Sequence, residues 1–475
     1  FAKMQSDWDK ILLPKLQGYD SLKDYEIHLR DKAGPMSYQK PVSERFDDIQ
    51  AYYDDIHAEG TPISEEAIQD VVSEFSFMDG LRQRSLYQTN LAMKKSTSSG
   101  APYQAKKRLV QDKVLKGTVS KSLRYDFDSW EVGLPTDGIY SVPALLGWRG
   151  QEGGPNLDDV KQRVVWMFPY SINLLELSIY QPAIQACQTS GAVAPWISMD
   201  AVDDNITALF DSKNKEDLIV CTDFTRFDQH FNEHMRNCAR SIFERLHYPK
   251  KWLEEVFPIK YHIPMICGID QVYTGEHGMG SGSGGTNFDE TIAHRALQYE
   301  CARTFGSKLN QKSMCLGDDG ILTYPGIDVA HVVQVYSSHG LEMNPSKQSA
   351  SPDYCEFLRR WHHVDYRDNG RCVGVYSTHR ALGRLCWLER FMDPDVWSAK
   401  AVALRELSIL ENIKYHPCKE DFVEFCIKRD KFRLGIDIPG FLDNIGSYAR
   451  EVQELMPDFL GYTKSQQRDA GSGIE

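Results

Sequence analysis

The chain has 475 residues, 41% hydrophobic and 25% charged, the balance of a globular protein rather than a disordered or collagen-like one. No apolar run nears the roughly 20 residues of a membrane span, so no membrane partner is expected. The net charge of −13 argues against broad affinity for a polyanion, except that residues 94–124 hold nine Lys/Arg against one acid, Asp112, leaving −21 for the rest. An acidic exterior with one concentrated basic segment suits a protein that threads a polyanion through an internal channel.

Residues 1–90 read as mostly helical, with a helix start at Ser64-Glu65-Glu66; Phe1-Ala2-Lys3-Met4 carries no signal-peptide pattern. Thr97-Ser98-Ser99-Gly100-Ala101-Pro102-Tyr103 is a loop. Its small residues allow close backbone approach by nucleic acid, and Lys106, Lys107 and Arg108 follow at once with phosphate-binding charge. Lys161-Gln162-Arg163-Val164-Val165-Trp166 is a strand whose alternation aims Lys161 and Arg163 one way and anchors Val164 and Trp166 the other. Eleven cysteines lie between Cys187 and Cys426 without a C-x-x-C, which argues against a zinc ribbon or disulfide framework and for a reducing compartment.

Leu218 to Thr222 reads as a buried strand ending at Asp223, with Asp228 five residues on. A helix follows, carrying Phe231, Met235, Cys238, Ile242, Phe243 and Leu246 on one stripe. Gly278 to Asn287 is a glycine-rich loop that includes Ser281, Gly282 and Thr286 and feeds an amphipathic helix from Phe288 to about Tyr299, an arrangement suited to phosphate or sugar. Cys315-Leu316-Gly317-Asp318-Asp319-Gly320 is a hairpin, with Gly317 and Gly320 freeing the turn. Its two carboxylates repel unless an oxygen-preferring divalent cation lies between them. A helix marked by Val329, Val332, Val333 and Tyr336 ends at Gly340, and Lys347 follows in a turn. Glu356 to Arg360 reads as one short strand with a basic end, and His362-His363 as polar packing. Leu382 to Tyr462 is largely helical, and Thr463 to Glu475 is polar and expected to be mobile.

In this order the segments resemble the motifs of viral RNA-dependent RNA polymerases, across roughly residues 96–360, and most closely those of the double-stranded RNA picobirnavirus and partitivirus group, picobirnavirus above all. The resemblance implies an α+β fold, a closed right hand with an antiparallel palm sheet. Its division would be an N-terminal bridge between fingers and thumb (1–95), fingers (96–200), palm (201–250), a fingers insertion (251–280), palm again (281–362), thumb (363–462) and a tail (463–475). It implies Asp223, Asp318 and Asp319 as Mg²⁺ ligands, Mn²⁺ being a substitute, and Lys347 as proton donor to pyrophosphate. Lys161, Arg163, Asp228, Ser281, Thr286 and Asn287 would bind the incoming ribonucleoside triphosphate. Ser98, Gly100, Pro102, Lys106, Lys107, Arg108, Gly282, Arg359 and Arg360 would contact RNA. Glu290 stands where many relatives carry Asn. Primer-independent synthesis, a viral capsid protein as partner, and a place in the virion interior and host cytoplasm are implied as well. A reverse transcriptase-like palm enzyme and a non-catalytic RNA-binding protein are the other readings open at this point.

Overall fold

Four consecutive buried residues, Ile219–Thr222, form the strand around which the molecule is built. A strand buried on both faces needs partners at both edges and cover above and below. One edge pairs antiparallel with Asp319–Leu322, which turns into Met314–Leu316; the other pairs antiparallel with Ser349–Ser351. The computed structural model describes residues 1–54, 56–57, 59–120, 125–126, 131–134, 138–141, 143–389, 391–455 and 467–469.

Helices Glu233–Arg245, Thr286–Thr304 and Val329–Ser338 share the large core beneath this sheet. The first carries the expected stripe, with Asn232 capping it, Phe231 just ahead and Leu246 just after, all buried. The third is capped by Asp328 and followed by Gly340 at φ +85°. Thr286–Thr304 departs from the expected amphipathic helix, because it is buried almost all round. Its polar residues point inward, where each serves as a fastening for a neighbouring element.

A second sheet runs Lys161–Met167, Ala144–Gln151, Met265–Gly268, Gln271–Tyr273. The first pair is antiparallel and the second parallel. Along Lys161–Met167 the burial alternates as expected, with Val164 and Trp166 inside, Lys161 exposed and Arg163 half-buried.

Glu356 to Arg360 is not one strand. Tyr354–Phe357 and Arg360–His363 pair across a tight turn made by Leu358 and Arg359, at φ +50° and +63°. Two positive φ values match the right-handed twist of a hairpin, but Leu and Arg adopt them at a cost. Without Asn-Gly the sequence carries no turn signal there.

Residues 1–78 thread three cores in turn. Trp8, Leu12 and Leu22 pack with Ala381, Leu382, Phe422 and Phe425 from helices Thr378–Cys386 and Lys419–Ile427. Ile49 and Tyr52 pack on the Lys161–Met167 sheet, and Ile63 to Met78 join the central core. Most of 463–475 lies outside the described residues. Within it, Arg468 and Asp469 donate backbone N–H bonds to the carbonyls of Trp196 and Ile197, so that short piece is held rather than loose. Among the described residues no helix is long and apolar enough to cross a membrane.

Candidate active site

The hairpin turn consists of Gly317 and Asp318, and Gly317 has φ +59°, the backbone freedom expected of it. Gly320 is a glycine for another reason. It lies in the strand, and a Cβ there would fall 2.6 Å from the His294 ring. The buried helix Thr286–Thr304 fixes this turn. Thr291 Oγ1 accepts from Gly317 N at 2.9 Å, and His294 Nδ1 lies 2.9 Å from the Gly317 carbonyl. Burial pushes the His294 pKa down to about 4, so the ring is neutral and donates from Nδ1. One and two turns further on, Arg295 donates to Ser313 O, and Gln298 to Met314 O and Ile321 O.

Gly320 faces Thr222 in the register, which therefore runs on to Asp319 opposite Asp223, with Asp318 at the tip. Asp223 and Asp318 are exposed, yet surrounding protein desolvates Asp318. That burial, then Asp228 and Asp223, push the Asp318 pKa up, with Arg163 acting against them. Asp319 is pushed to about 7 by burial and by Asp318, although its Oδ2 accepts from Leu358 N at 2.8 Å. Negative charge at this site is under-compensated by the protein alone. The donors are all oxygen, as a hard divalent cation requires. Among the described residues no three His, Cys, Asp or Glu side chains are gathered into a metal cage.

Asp223 is clamped by a residue the sequence did not single out. The Gln348 side chain accepts from Asp223 N and donates to Asp223 O, both at 2.8 Å. Lys347, just before it in the turn Pro345–Lys347, is exposed. Strand Ser349–Ser351 pairs with Ile219–Thr222, which brings Lys347 to the Asp223 end of the sheet.

Asp228 is bonded to Arg163 at 2.8 Å, and so joins the two sheets. Burial opposes its ionisation, but Arg163 and a hydrogen bond with Glu290 hold its pKa below the usual range. Burial and Asp228 push Glu290 well up. Glu290 therefore holds a proton more tightly than a free glutamate and is hydrogen-bonded to Asp228, while its Oε1 has no partner among the described residues.

The profile of the family described as "Viral RNA-dependent RNA polymerase" matches residues 16–372. The chain is 51% identical, over 99% of its length and 89% of the relative's, to a protein named "Potential RNA-dependent RNA polymerase" from Human picobirnavirus (strain Human/Thailand/Hy005102/-). The chain belongs to the viral RNA-dependent RNA polymerases of the picobirnavirus group. Its fold is similar to the crystal structure of a human picobirnavirus RNA-dependent RNA polymerase, at TM-score 0.91 and 50% identity, covering 100% of this chain and 89% of that one. An insertion-loop deletion mutant of such a polymerase matches at TM-score 0.90 and 49% identity, covering 96% and 90%. The α+β right-hand fold and RNA-directed RNA polymerase activity follow, and with them an RNA template and nucleotide substrates.

The polymerase's glycine-rich loop packs against the protein itself. A Cβ on Gly282 would lie 1.6 Å from the Trp166 carbonyl, and one on Gly285 2.3 Å from the Tyr180 ring. On its Cβ side Gly282 closes against the Lys161–Met167 strand. Ser281 Oγ donates to Val164 O at 3.2 Å, and Thr286 Oγ1 to Gly280 O at 3.2 Å. Asn287 Oδ1 accepts from Trp196 Nε1. The loop is also fastened by Glu176, a buried carboxylate on helix Tyr170–Ser190 that accepts from Ser283 Oγ and from Gly284 N. A lone Glu inside an apolar helical stretch was the only sequence signal for that residue.

In the 97–108 loop, Gly100 sits at φ +62°, with Phe168 O 2.5 Å from where a Cβ would be, and Ser98 Oγ accepts from Gly100 N. Pro102, Lys106 and Arg108 are exposed. Lys107 departs from expectation. It is buried, and its Nζ donates to Thr97 Oγ1 and Ser98 O, so it braces the loop instead of offering charge to RNA. Arg360 departs in the same way, being buried and paired with the fully buried Asp203. The burial pattern of the Arg360–His363 strand turns its side chain inward, and His362 beside it is core packing as expected. Arg359, one residue earlier in the turn, is exposed.

Proposed function

We propose that Asp223 and Asp318 hold two Mg²⁺ ions, or Mn²⁺ in their place, with Asp319 assisting, and that the polymerase transfers nucleotides from ribonucleoside triphosphates to an RNA 3′-hydroxyl. The observation that carries this reading is the strand register that sets Asp319 opposite Asp223, with Asp318 at the tip. Bound there, the ions would lower the pKa of the attacking hydroxyl and neutralise the departing pyrophosphate. The remaining work is positioning and charge, as in phosphoryl transfer generally. Lys161, exposed on its strand, would meet the triphosphate. Arg163 would join it as the nucleotide's ribose takes its place at Asp228. Ser281, Thr286 and Asn287 lie along the loop and helix start that border this pocket, and Asp228 would read the 2′-hydroxyl that separates RNA from DNA. Lys347 would give a proton to the pyrophosphate.

Palm at 201–250 and 281–362, fingers at 96–200 with an insertion at 251–280, thumb at 363–462 and an N-terminal bridge remain our division of the chain. Replication and transcription of a double-stranded RNA genome without a primer, beside a capsid protein in the virion interior and in the host cytoplasm, complete the proposal. The test is template-directed incorporation of labelled nucleotides with and without primer. Ribonucleotides should be incorporated in preference to deoxynucleotides and only with divalent metal, and Asp318→Ala should abolish the signal. Incorporation by Asp318→Ala at the parent rate would end the assignment.

A further inference from the structure

Helix Asp20–Lys32 carries Tyr25, His28 and Lys32 at i, i+3 and i+7, one face of a helix. The helix is locked in rotation by Glu26, fully buried, whose carboxylate accepts from Thr378 N, Thr378 Oγ1 and Ser377 Oγ. On the other face, Tyr25 Oη donates to Arg359 O at 2.8 Å. Arg359 shares its tight turn with Leu358, whose N–H bonds Asp319. Two direct contacts therefore lead from the N-terminal helix to the catalytic hairpin. The helix end is fixed too. Residues 33–36 are buried, and a Cβ on Gly34 would lie 1.7 Å from Gly154 O and one on Gly150 1.4 Å from Met36 O. Gln151, between those two contacts, pairs with Lys161. Lys32 is thus held between the strand of Lys161 and the turn of Arg359.

The surrounding charges agree with this placement. Lys32 is exposed, and burial of its surroundings, then Lys161, weaken its hold on a proton, while Asp223 acts the other way. His28 is also within reach of Asp223 and Lys32. Arg359 is lowered to about 10 by Arg380 and by burial. Neighbouring cations have carboxylate partners: Arg380 pairs with Glu152 at 2.9 Å, and Arg163 with Asp228. Among the described residues the side chains of Lys32, Lys161 and Arg359 make no hydrogen bond or ion pair with a carboxylate, although Glu152 acts on Lys32 and Arg359, and Lys32 on Glu356, over longer range. Lys32 and Lys161 repel each other beside the Asp223 carboxylate, and Arg359 sits in the turn that Tyr25 of the same helix and Asp319 hold. A compact polyanion answers that arrangement. An RNA backbone would be followed by a basic stripe instead.

We propose that Lys32, with Lys161 and Arg359, forms a binding site for the triphosphate of the incoming nucleotide, so that the N-terminal helix is part of the substrate pocket. The proposal rests on the polymerase reading above for the identity of the substrate. The test is steady-state extension on a primed homopolymer template with Lys32→Ala, Lys32→Glu and Lys32→Arg. Loss of one exposed charge-assisted contact should raise KM for the nucleotide about 3- to 10-fold in Lys32→Ala, and more in Lys32→Glu. Lys32→Arg should stay within about twofold, and kcat and RNA affinity should not move. The inhibition constant of pyrophosphate separates the sources: a parallel rise means that the site also holds the leaving group, and no rise means that it meets only the entering triphosphate. An unchanged KM in Lys32→Glu overturns the proposal, as does weakened RNA affinity with KM unchanged. Equilibrium titration with tripolyphosphate reads the site apart from turnover. At least about fivefold tighter binding by the parent than by Lys32→Glu is expected, and equal affinity refutes the site. A binding difference without any nucleotide incorporation by the parent would instead count against the catalytic assignment.

Discussion

Replacing Thr291 by Val removes one hydroxyl and keeps the shape. Thr291 is 2% exposed, and its Oγ1 is the acceptor for Gly317 N in the turn that carries Asp318. No solvent is at hand to take over that N–H. Leaving a buried donor unsatisfied costs about 1–3 kcal/mol. Unfolding entropy of about 2.1 cal/mol/K per residue, over 475 residues, comes to about 1 kcal/mol/K. The variant should therefore melt only about 1–3 °C lower and remain folded. The turn N–H can recover a partner only by moving the turn. If the turn returns to its place solely in the transition state, the same 1–3 kcal/mol appears in the barrier, a loss in kcat of about 5- to 150-fold. Single-turnover extension on a pre-bound primed template measures this directly, with scanning calorimetry for the stability and anisotropy for RNA affinity, which should be unchanged. A rate within twofold of the parent, at the expected melting shift, would refute the idea that helix Thr286–Thr304 positions the turn of Asp318 for the proposed reaction.

Arg360→Met should take from the buried Asp203 its cationic partner and leave it only the Gly374 backbone bond and the His362 ring beside it, costing about 3–5 kcal/mol, a melting drop of about 3–5 °C on the same entropy. The salt dependence of RNA binding should not change. A slope lower by about one ion, with stability intact, would return Arg360 to the RNA-contacting set. Glu176 is pushed up to about 7 by burial. Its folded pKa lies above the ordinary glutamate value of 4.5, so the folded state binds the extra proton and the stability this adds is present in acid and lost as pH rises from about 4.5 through 7. The shift is worth up to about 3 kcal/mol, so Glu176→Gln should flatten the fall in melting temperature between pH 5 and 7.5 by up to about 3 °C. Identical pH profiles for the two proteins would show that Glu176 does not titrate in this range.

Much of the site was legible because strands and turns announce themselves locally. The apolar run ending at Asp223 had to be a covered strand, and Gly317 beside two carboxylates had to be a turn. Alternation along Lys161 to Trp166 gave the facing of each side chain. The misreadings share a cause. Residue type alone turns Lys107 and Arg360 toward RNA, and a charge does not say whether solvent, RNA or protein stands opposite. The Leu358–Arg359 turn was invisible because its backbone is held by tertiary contacts, including the bonds to Asp319 and Tyr25, in place of turn-forming residues.

Local order along the chain was enough to determine the α+β class, the palm strands, the metal-binding carboxylates as candidates, and the family resemblance. Only the folded structure decided which residues stand behind them. Gln348 clamps Asp223, Thr291 and His294 hold the turn, Glu290 bonds Asp228, and Lys32 arrives from almost two hundred residues upstream of Asp223. Period and propensity act between neighbours in sequence. Hydrogen bonds and Coulomb forces act between neighbours in space, and those are chosen only when the core closes.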